Sequence, residues 1–327
     1  MNQFGRIFRI QIFGESHGPR VGLVMDGLPP GLPLSDQDFI LDINRRRPGA
    51  LGTTTRIESD IPIIESGLFN GYTTGAPMMM YFLNNDHHSS DYTSYQNTPR
   101  PGHADFVAAK KFKGFQDFRG GGHFSGRLTL PLVAAGVVAK KLIHPIEVKA
   151  ELIEVGGQTD IQKAIHEATL YGDSVGGLIK CTALKVPVGL GEPFFDSVES
   201  LISHIIFSIP AIKGISFGSG FDSAKMRGSE HNDSILDIEG HTATNHAGGI
   251  NGGISNGNDI VFHIAVKPTS SIRTSQNTVD MVSGDINELF IQGRHDACIA
   301  LRVPVVAEAV TAIVLADLLM LFQRMGQ

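Results

Sequence analysis

Tryptophan is absent from this chain of 327 residues, and cysteine occurs only twice, at Cys181 and Cys298. Two cysteines so far apart, in no metal-ligand spacing, exclude a disulfide framework and a thiolate zinc site, and they suit a reducing cytoplasm. The histidines lack i, i+4 and H-x-H spacing, so no metal centre is expected. Lysine and arginine are outnumbered by aspartate and glutamate, for a formal net charge of −6. That balance argues against a general nucleic-acid binder, whose affinity comes from basic clusters releasing counterions. No linker, charge run or low-complexity segment divides the chain, so one unit over 1–327 is expected. The opening MNQFGRIFRIQIFGE carries charge where a signal peptide needs an apolar stretch, so secretion is not expected. The longest apolar run, 303–322, holds Pro304, Glu308 and Asp317. Two acids would be costly in lipid, which predicts a buried helix rather than a membrane span. A P-loop spacing and a convincing dinucleotide fingerprint are also missing.

Glycine, by contrast, is abundant: 38 residues, well above the background of about 7%. Such a chain makes many tight turns and lets backbone approach a ligand closely. Apolar periodicity predicts helices over 105–112 and 131–142, the second with a small-residue face (Ala134, Ala135, Gly136, Ala139) suited to close packing. Strand-like runs cover 6–13, 21–25, 177–188 and 259–266, and long loops 81–101 and 222–257. The mixture is α/β or α+β, with helices covering sheet faces. Segments 26–46 and 186–210 share a design: a β-like stretch, a Gly/Pro loop, a Ser/Asp cap, then an apolar-periodic helix. Ser35 and Asp38 resemble a capping box. Duplication and chance both account for this echo.

The stretch Gly14-Glu15-Ser16-His17-Gly18 matches the G-x-S-x-G of a hydrolase nucleophile elbow. Its context does not. An elbow needs a helix after the serine, whereas Pro19 and a second strand-like run follow here, and neighbouring side chains on extended backbone point to opposite faces. The basic residues are more informative. Arg45, Arg46, Arg47 and Arg56 fall in one short stretch, and Arg119 and Arg127 bracket RGGGHFSGR. Bare glycine amides, the Ser125 hydroxyl and the Arg127 fork could hold a phosphate at a helix N-terminus, though a glycine turn between packed elements fits equally. KPTSSI (267–272) sets an ammonium beside three hydroxyls at a strand end; it is either a phosphate wrap or a polar turn. Three consecutive arginines in RRRPG (45–49) point in different directions, so helix-dipole compensation cannot account for them all. RPGHAD (100–105) presents His103 on a turn before a helix, and RHDAC (294–298) sets Arg, His and Asp in a row. TNHAGGINGGISNG (244–257) has backbone bare enough to pack on a flat ligand or to serve as a lid. The sum is a site for a small anion with a planar cofactor.

The ordered set GESHG, RRRPG, RPGHAD, RGGG-x-x-S-x-R, NHAGGI-x-GGIS-x-G, KPTSSI, GRHD-x-C and a closing AEA helix resembles the chorismate synthase family over nearly the full length. The resemblance implies trans-1,4 elimination of phosphate from 5-enolpyruvylshikimate 3-phosphate to give chorismate, with reduced FMN required and NADPH as the candidate reductant. It implies a single α/β domain, with helices sandwiched between sheets and pseudo-twofold internal repetition, assembled as a homotetramer. By that resemblance His17 would protonate the departing phosphate and His103 would tune the flavin. Ser16 and Asp296 would relay the substrate C6 proton, and Arg46, Arg47 and Arg127 would hold its anionic groups. Ser125, Gly252, Lys267, Pro268, Thr269, Ser270, Ser271 and Arg294 match FMN-holding positions. The chain departs from the family pattern at His123-Phe124, at Leu51-Gly52 where an arginine is usual, and at Ala297 where proline is usual; the stretch after Leu142 is contracted.

Overall fold

The alternating RIQIFG and RVGLVMD segments form two strands, β2 (Arg9–Gly14) and β3 (Arg20–Asp26), paired antiparallel with Gly14 opposite Val21. The computed structural model describes residues 2–49, 52–53, 58–86, 95–291 and 296–326. Gly14 sits at φ +99°, and a Cβ there would lie 2.3 Å from the Arg20 carbonyl oxygen, so the turn requires glycine. The order is strand, turn, strand. No helix follows Ser16, and the hydrolase elbow is excluded.

β1 (Gln3–Phe4), β4 (Ile63–Ile64) and β7 (Met78–Leu83) complete an antiparallel sheet in the order β1-β2-β3-β7-β4, with a small hairpin, β5 (Leu68–Phe69) and β6 (Tyr72–Thr73), between β4 and β7. A second antiparallel sheet is built from β8 (Glu147–Val155), β9 (Gly177–Leu184), β10 (Ile212–Phe217) and β13 (Ile260–Val266), in the order β10-β13-β9-β8. Two further hairpins are β11 (Ile250–Asn251) with β12 (Ile254–Ser255), and β14 (Gln276–Val279) with β15 (Ile286–Leu289). The helices are α1 (Asp36–Arg46), α2 (Asp105–Lys111), α3 (Thr129–Leu142), α4 (Ile161–Leu170), α5 (Val198–Ile206), α6 (Gly228–His231) and α7 (Val303–Arg324).

Helix α3 packs on β2 and β3, α7 packs on β8 and β9, and α3 and α7 press against each other. The helices therefore lie between the two sheets, the α+β arrangement expected from the sequence. Both central helices are apolar all round, as a helix in a filled interior must be; α3 is buried from Thr129 to Ala139. Ile299–Arg324 is long and apolar enough to cross a membrane, yet it is mostly buried inside the protein. Its two acids explain themselves here. Glu308 receives Arg45 (2.7 Å), Lys140 (3.0 Å) and the backbone N–H of Ala150 (3.1 Å). Asp317 accepts the backbone N–H groups of Arg6, Ile7 and Phe8 at 2.9, 2.6 and 2.9 Å. Cys181 and Cys298 are both buried and free.

Boundaries moved where long-range partners intervene. The strand expected over 6–13 begins only at Arg9, because the amides of residues 6–8 bond to Asp317 instead of a neighbouring strand. The strand expected over 177–188 stops at Leu184, where Lys185 turns to φ +60°. The expected loop 222–257 contains α6 and the β11–β12 hairpin; within 81–101, residues 87–94 lie outside the described residues. Both echoing segments follow the shared design: β3 leads to α1, where Ser35 N–H donates to Asp38 (2.8 Å), and β9 leads to α5, where Ser197 Oγ accepts from Ser200 N–H (3.0 Å).

The small-residue face of α3 is what lets it meet α7. A Cβ on Gly136 would fall 2.2 Å from Ala309 Cβ and 2.4 Å from its Cα, leaving no direction in which to relax. Gly136→Ala should lower the unfolding free energy by about 1–3 kcal/mol, as overpacking of a filled core does. Urea denaturation reads this directly, and an unchanged midpoint would contradict the close helix contact.

Candidate active site

RGGG folds as a tight turn in which Gly120, Gly121 and Gly122 all adopt positive φ (+58°, +79°, +52°). A Cβ on Gly120 would stand 2.3 Å from His17 Cδ2 and 2.4 Å from its Nε2, and one on Gly121 would stand 3.5 Å from His103 Cε1. The loop thus runs between the two imidazoles, leaving no room for a side chain against His17 and ordinary contact space beside His103. Gly122 C=O accepts from Ser16 N–H at 3.0 Å, which ties the loop to the β2–β3 turn. Asp117 holds the Arg119 guanidinium (2.7 and 2.8 Å) at the loop's start. Ser125 then caps a short 3-10 turn, Gly126–Leu128, that runs into α3.

His103 precedes α2 and is oriented by it. Its Nδ1 lies 2.6 Å from Asp105 Oδ1 and 3.1 Å from an Arg100 nitrogen. Only one hydrogen fits on Nδ1 of the neutral ring, and the carboxylate is an acceptor, so Nδ1–H donates to Asp105 and Nε2 keeps its lone pair on the Gly121 side. Arg100 grips the same carboxylate (2.7 and 2.9 Å) and donates to Ser271 Oγ (3.1 Å). Burial pushes the His103 pKa below the ordinary histidine value; the Asp105 hydrogen bond pulls upward without prevailing, and the Arg100 and Lys267 charges add to the depression. Burial pushes the Asp105 carboxyl up, but hydrogen bonds from His103 and Arg100 hold it well below the usual carboxylate range.

The three arginines at the end of α1 diverge, as expected. Arg45 turns to Glu308 in the core. Arg46, 1% exposed, donates to Thr129 Oγ1 (3.1 Å) and the Gly126 carbonyl (3.2 Å), with Asp60 3.5 Å away. Arg47 is half-exposed, 2.8 Å from Asn44 and 3.9 Å from Asp60. Arg127 pairs with Asp60 and donates to Asn84 Oδ1 (3.0 Å) and the Leu83 carbonyl (3.3 Å). Asn84 in turn donates to the Glu15 and Gly18 carbonyls, fastening the turn that carries His17.

KPTSSI begins as β13 ends. Lys267 Nζ and Ser270 Oγ both donate to the Gly102 carbonyl (2.9 and 2.7 Å), locking this segment onto RPGHAD. Burial and the nearby Lys213 push the Lys267 pKa down. Thr269 Oγ1 is buried with no hydrogen-bond partner among the described residues. Asp296 lies 3.5 Å from Arg302, which also donates to the Arg46 carbonyl at 2.9 Å.

These groups line one cavity of about 810 Å³, the size that takes a cofactor and a small substrate together. It gathers Ser16, His17, Arg46, His103, Ser125, Arg127, Lys267, Pro268, Thr269, Ser270, Ser271 and Asp296, twelve of the fifteen positions expected from sequence. Arg47 stands behind Asp60 rather than on the wall. Gly252 turns the β11–β12 hairpin, whose next residue packs on Ser197 and the Glu192 carbonyl, so it does not line this cavity. Arg294 lies outside the described residues, as does Arg56.

A family model described as chorismate synthase matches residues 8–320. The chain belongs to the chorismate synthase family. A chorismate synthase of Chitinophaga pinensis is 59% identical over 99% of this chain and 98% of its own length. That of Korarchaeum cryptofilum is 45% identical over 98% of each. A crystal structure of chorismate synthase superimposes with a TM-score of 0.75 at 25% identity, covering 98% of this chain and 93% of the other.

Sequence reasoning assigned no role to Asp60, Asn84, Arg100 or Asp105. Arg100 and Asp105 frame RPGHAD and could have been found by asking what orients its histidine. Asp60 and Asn84 carry no local pattern.

Because the folded pKa of His103 is depressed, the unfolded chain binds the proton first as pH falls below about 6.5, and stability contributed here is lost between that value and the folded pKa. A histidine Cε1 NMR titration should place the His103 midpoint below the ordinary value, and Asp105→Asn, which removes the carboxylate that pulls it upward, should move it lower still. A midpoint that rises in the variant would contradict the assigned network.

Proposed function

We propose that this cavity eliminates phosphate from 5-enolpyruvylshikimate 3-phosphate in the trans-1,4 sense, giving chorismate, as a carbon–oxygen lyase dependent on reduced FMN. The observation that carries the proposal is convergence: GESHG, RRRPG, RPGHAD, RGGG and KPTSSI, far apart in sequence, place two histidines, two buried guanidiniums and an ammonium in one cavity. Desolvating a phosphate and two carboxylates needs that density of paired cations.

The residues suit a flavin phosphate and ring. Among the described residues Thr269 Oγ1 is a buried hydroxyl lacking a partner, Lys267, Ser270 and Ser271 supply further donors, and Gly120 presents bare backbone beside His17. Ser125, Lys267, Pro268, Thr269, Ser270 and Ser271 would hold FMN, with Arg294 beside them in sequence order. Gly252 receives no FMN contact in this reading, its hairpin lying outside the cavity, and the assembly proposed is a homotetramer. The chemistry a reduced flavin supplies is transient electron donation to the substrate, which leaves the overall reaction redox neutral.

The chain's own residues do the rest. The elimination breaks the C6–H and C3–O bonds and leaves the ring a diene, so one proton must be taken up and one supplied. His17, 6% exposed and backed by Gly120, would give a proton to the departing phosphate. Ser16 and Asp296 would relay the proton lost from C6. His103, fixed through Nδ1 by Asp105, would present Nε2 to the cofactor and set its protonation. Arg46 and Arg127, with Arg47 behind them, would neutralise the substrate's anionic groups. The catalytic unit we propose is residues 1–327 as one domain, in the cytoplasm, with NADPH as the reductant.

The protein with anaerobically reduced FMN and the phosphorylated enolpyruvyl substrate should release inorganic phosphate, and its absence would refute the reaction. His17→Ala should lower kcat by roughly a hundredfold or more, the usual worth of a positioned proton donor, while FMN affinity by fluorescence titration stays nearly constant. Equal losses in both would remove His17 from its assigned role.

A further inference from the structure

Four carboxylates among the described residues line the cavity: Glu58, Asp60, Asp86 and Asp296. Asp60 is distinctive because it pairs with the guanidiniums assigned to the substrate. Its side chain is 1% exposed; Oδ1 takes Arg127, and Oδ2 lies 3.5 Å from Arg46 and 3.9 Å from Arg47. Its backbone stands at φ +48°, a left-handed conformation uncommon for a residue with a Cβ. A site that collects anions thus keeps a fixed negative charge on its own cation pair.

Simple structural compensation accounts for part of this, since unpaired buried guanidiniums are costly. The position accounts for more. Arg127 also donates to Asn84, which donates to the Glu15 and Gly18 carbonyls of the turn bearing His17, the proton donor to phosphate. The Asp60-paired guanidinium is therefore built into the same support as the leaving-group donor. We propose that Asp60 is a positioning residue acting as an exchangeable counter-ion: it holds Arg46 and Arg127 toward the cavity and competes with phosphate for them after cleavage, so that the product is not retained. The proposal rests on the phosphate-eliminating reading of the site.

The test is phosphate binding by calorimetry, without turnover, on the full-length protein in phosphate-free buffer. Asp60→Asn keeps the shape and removes the charge; it should bind inorganic phosphate roughly fivefold to tenfold more tightly, since one unit charge within a few ångströms of a buried ligand is removed. Asp60→Glu keeps the charge and should restore the wild-type value. In steady state the Asn variant should show a lower KM with a lower kcat and stronger inhibition by phosphate. Equal affinity in all three proteins, weaker binding by the Asn variant, or a gain for acetate without one for phosphate would each overturn the proposal. If Asp60→Asn is unfolded in phosphate-free buffer, recovery of its thermal transition on adding phosphate supports the counter-ion role, and failure to fold at saturating phosphate overturns it. Because no substrate is turned over in the calorimetry, a wild-type protein that releases no phosphate from the enolpyruvyl substrate would refute the reaction separately.

Discussion

His17 fits into the cavity it shares with His103 because the backbone beside its ring carries no side chain. A Cβ on Gly120 would overlap the His17 ring, and the positive φ values of Gly120 and Gly121 bend the chain so that one glycine faces each imidazole. The rest of the site is arranged around that wedge. Gly122 holds the Ser16 amide, α2 supplies the carboxylate that sets the His103 tautomer, and KPTSSI closes onto Gly102. Each of these is a local contact, but together they convert loops from both ends of the chain into a preorganised surface.

The interior handles charge by pairing it. Arg45, Arg46 and Arg47 leave the end of α1 in three directions, one to Glu308 on α7, one to the cavity and one back to Asn44 behind Asp60. Glu308 is held below the usual carboxylate range because, although burial pushes it up, Arg45 and Lys140 outweigh that. A single helix terminus therefore links the packed centre of the molecule to the arginine-lined end of the cavity. Displacing α1 would disturb both, which is why the core and the site are best regarded as one electrostatic structure.

Much of this was legible in the sequence, for physical reasons that differ by element. Helix α7 could be read because its apolar run was interrupted by Glu308 and Asp317, and those acids prove to be satisfied inside the protein. The motif loops could be read because glycine, arginine and hydroxyl residues concentrate there beyond what turns require. The resemblance supplied residue roles that composition could not. Asp60 escaped notice because a lone carboxylate in IESDIP has no periodicity, and its meaning comes from a left-handed backbone and from arginines elsewhere in the chain. Residues 6–8 were misread as strand because their side chains alternate suitably, while the partner of their amides is a distant carboxylate. Gly252 shows the opposite limit: a motif can match while its hairpin is anchored on α5, away from the cavity.

The tether from Asp317 to the amides of Arg6, Ile7 and Phe8 spans about 310 positions of sequence. On the ribosome those amides emerge about 310 residues ahead of their acceptor and must wait, solvated by water, until α7 can dock. The first sheet can form its hairpin in the meantime but cannot seal its approach to β2. Assembly of this molecule is therefore a late, long-range event, and the nascent chain passes through a stage in which an incompletely sealed sheet is open to chaperones and to its neighbours.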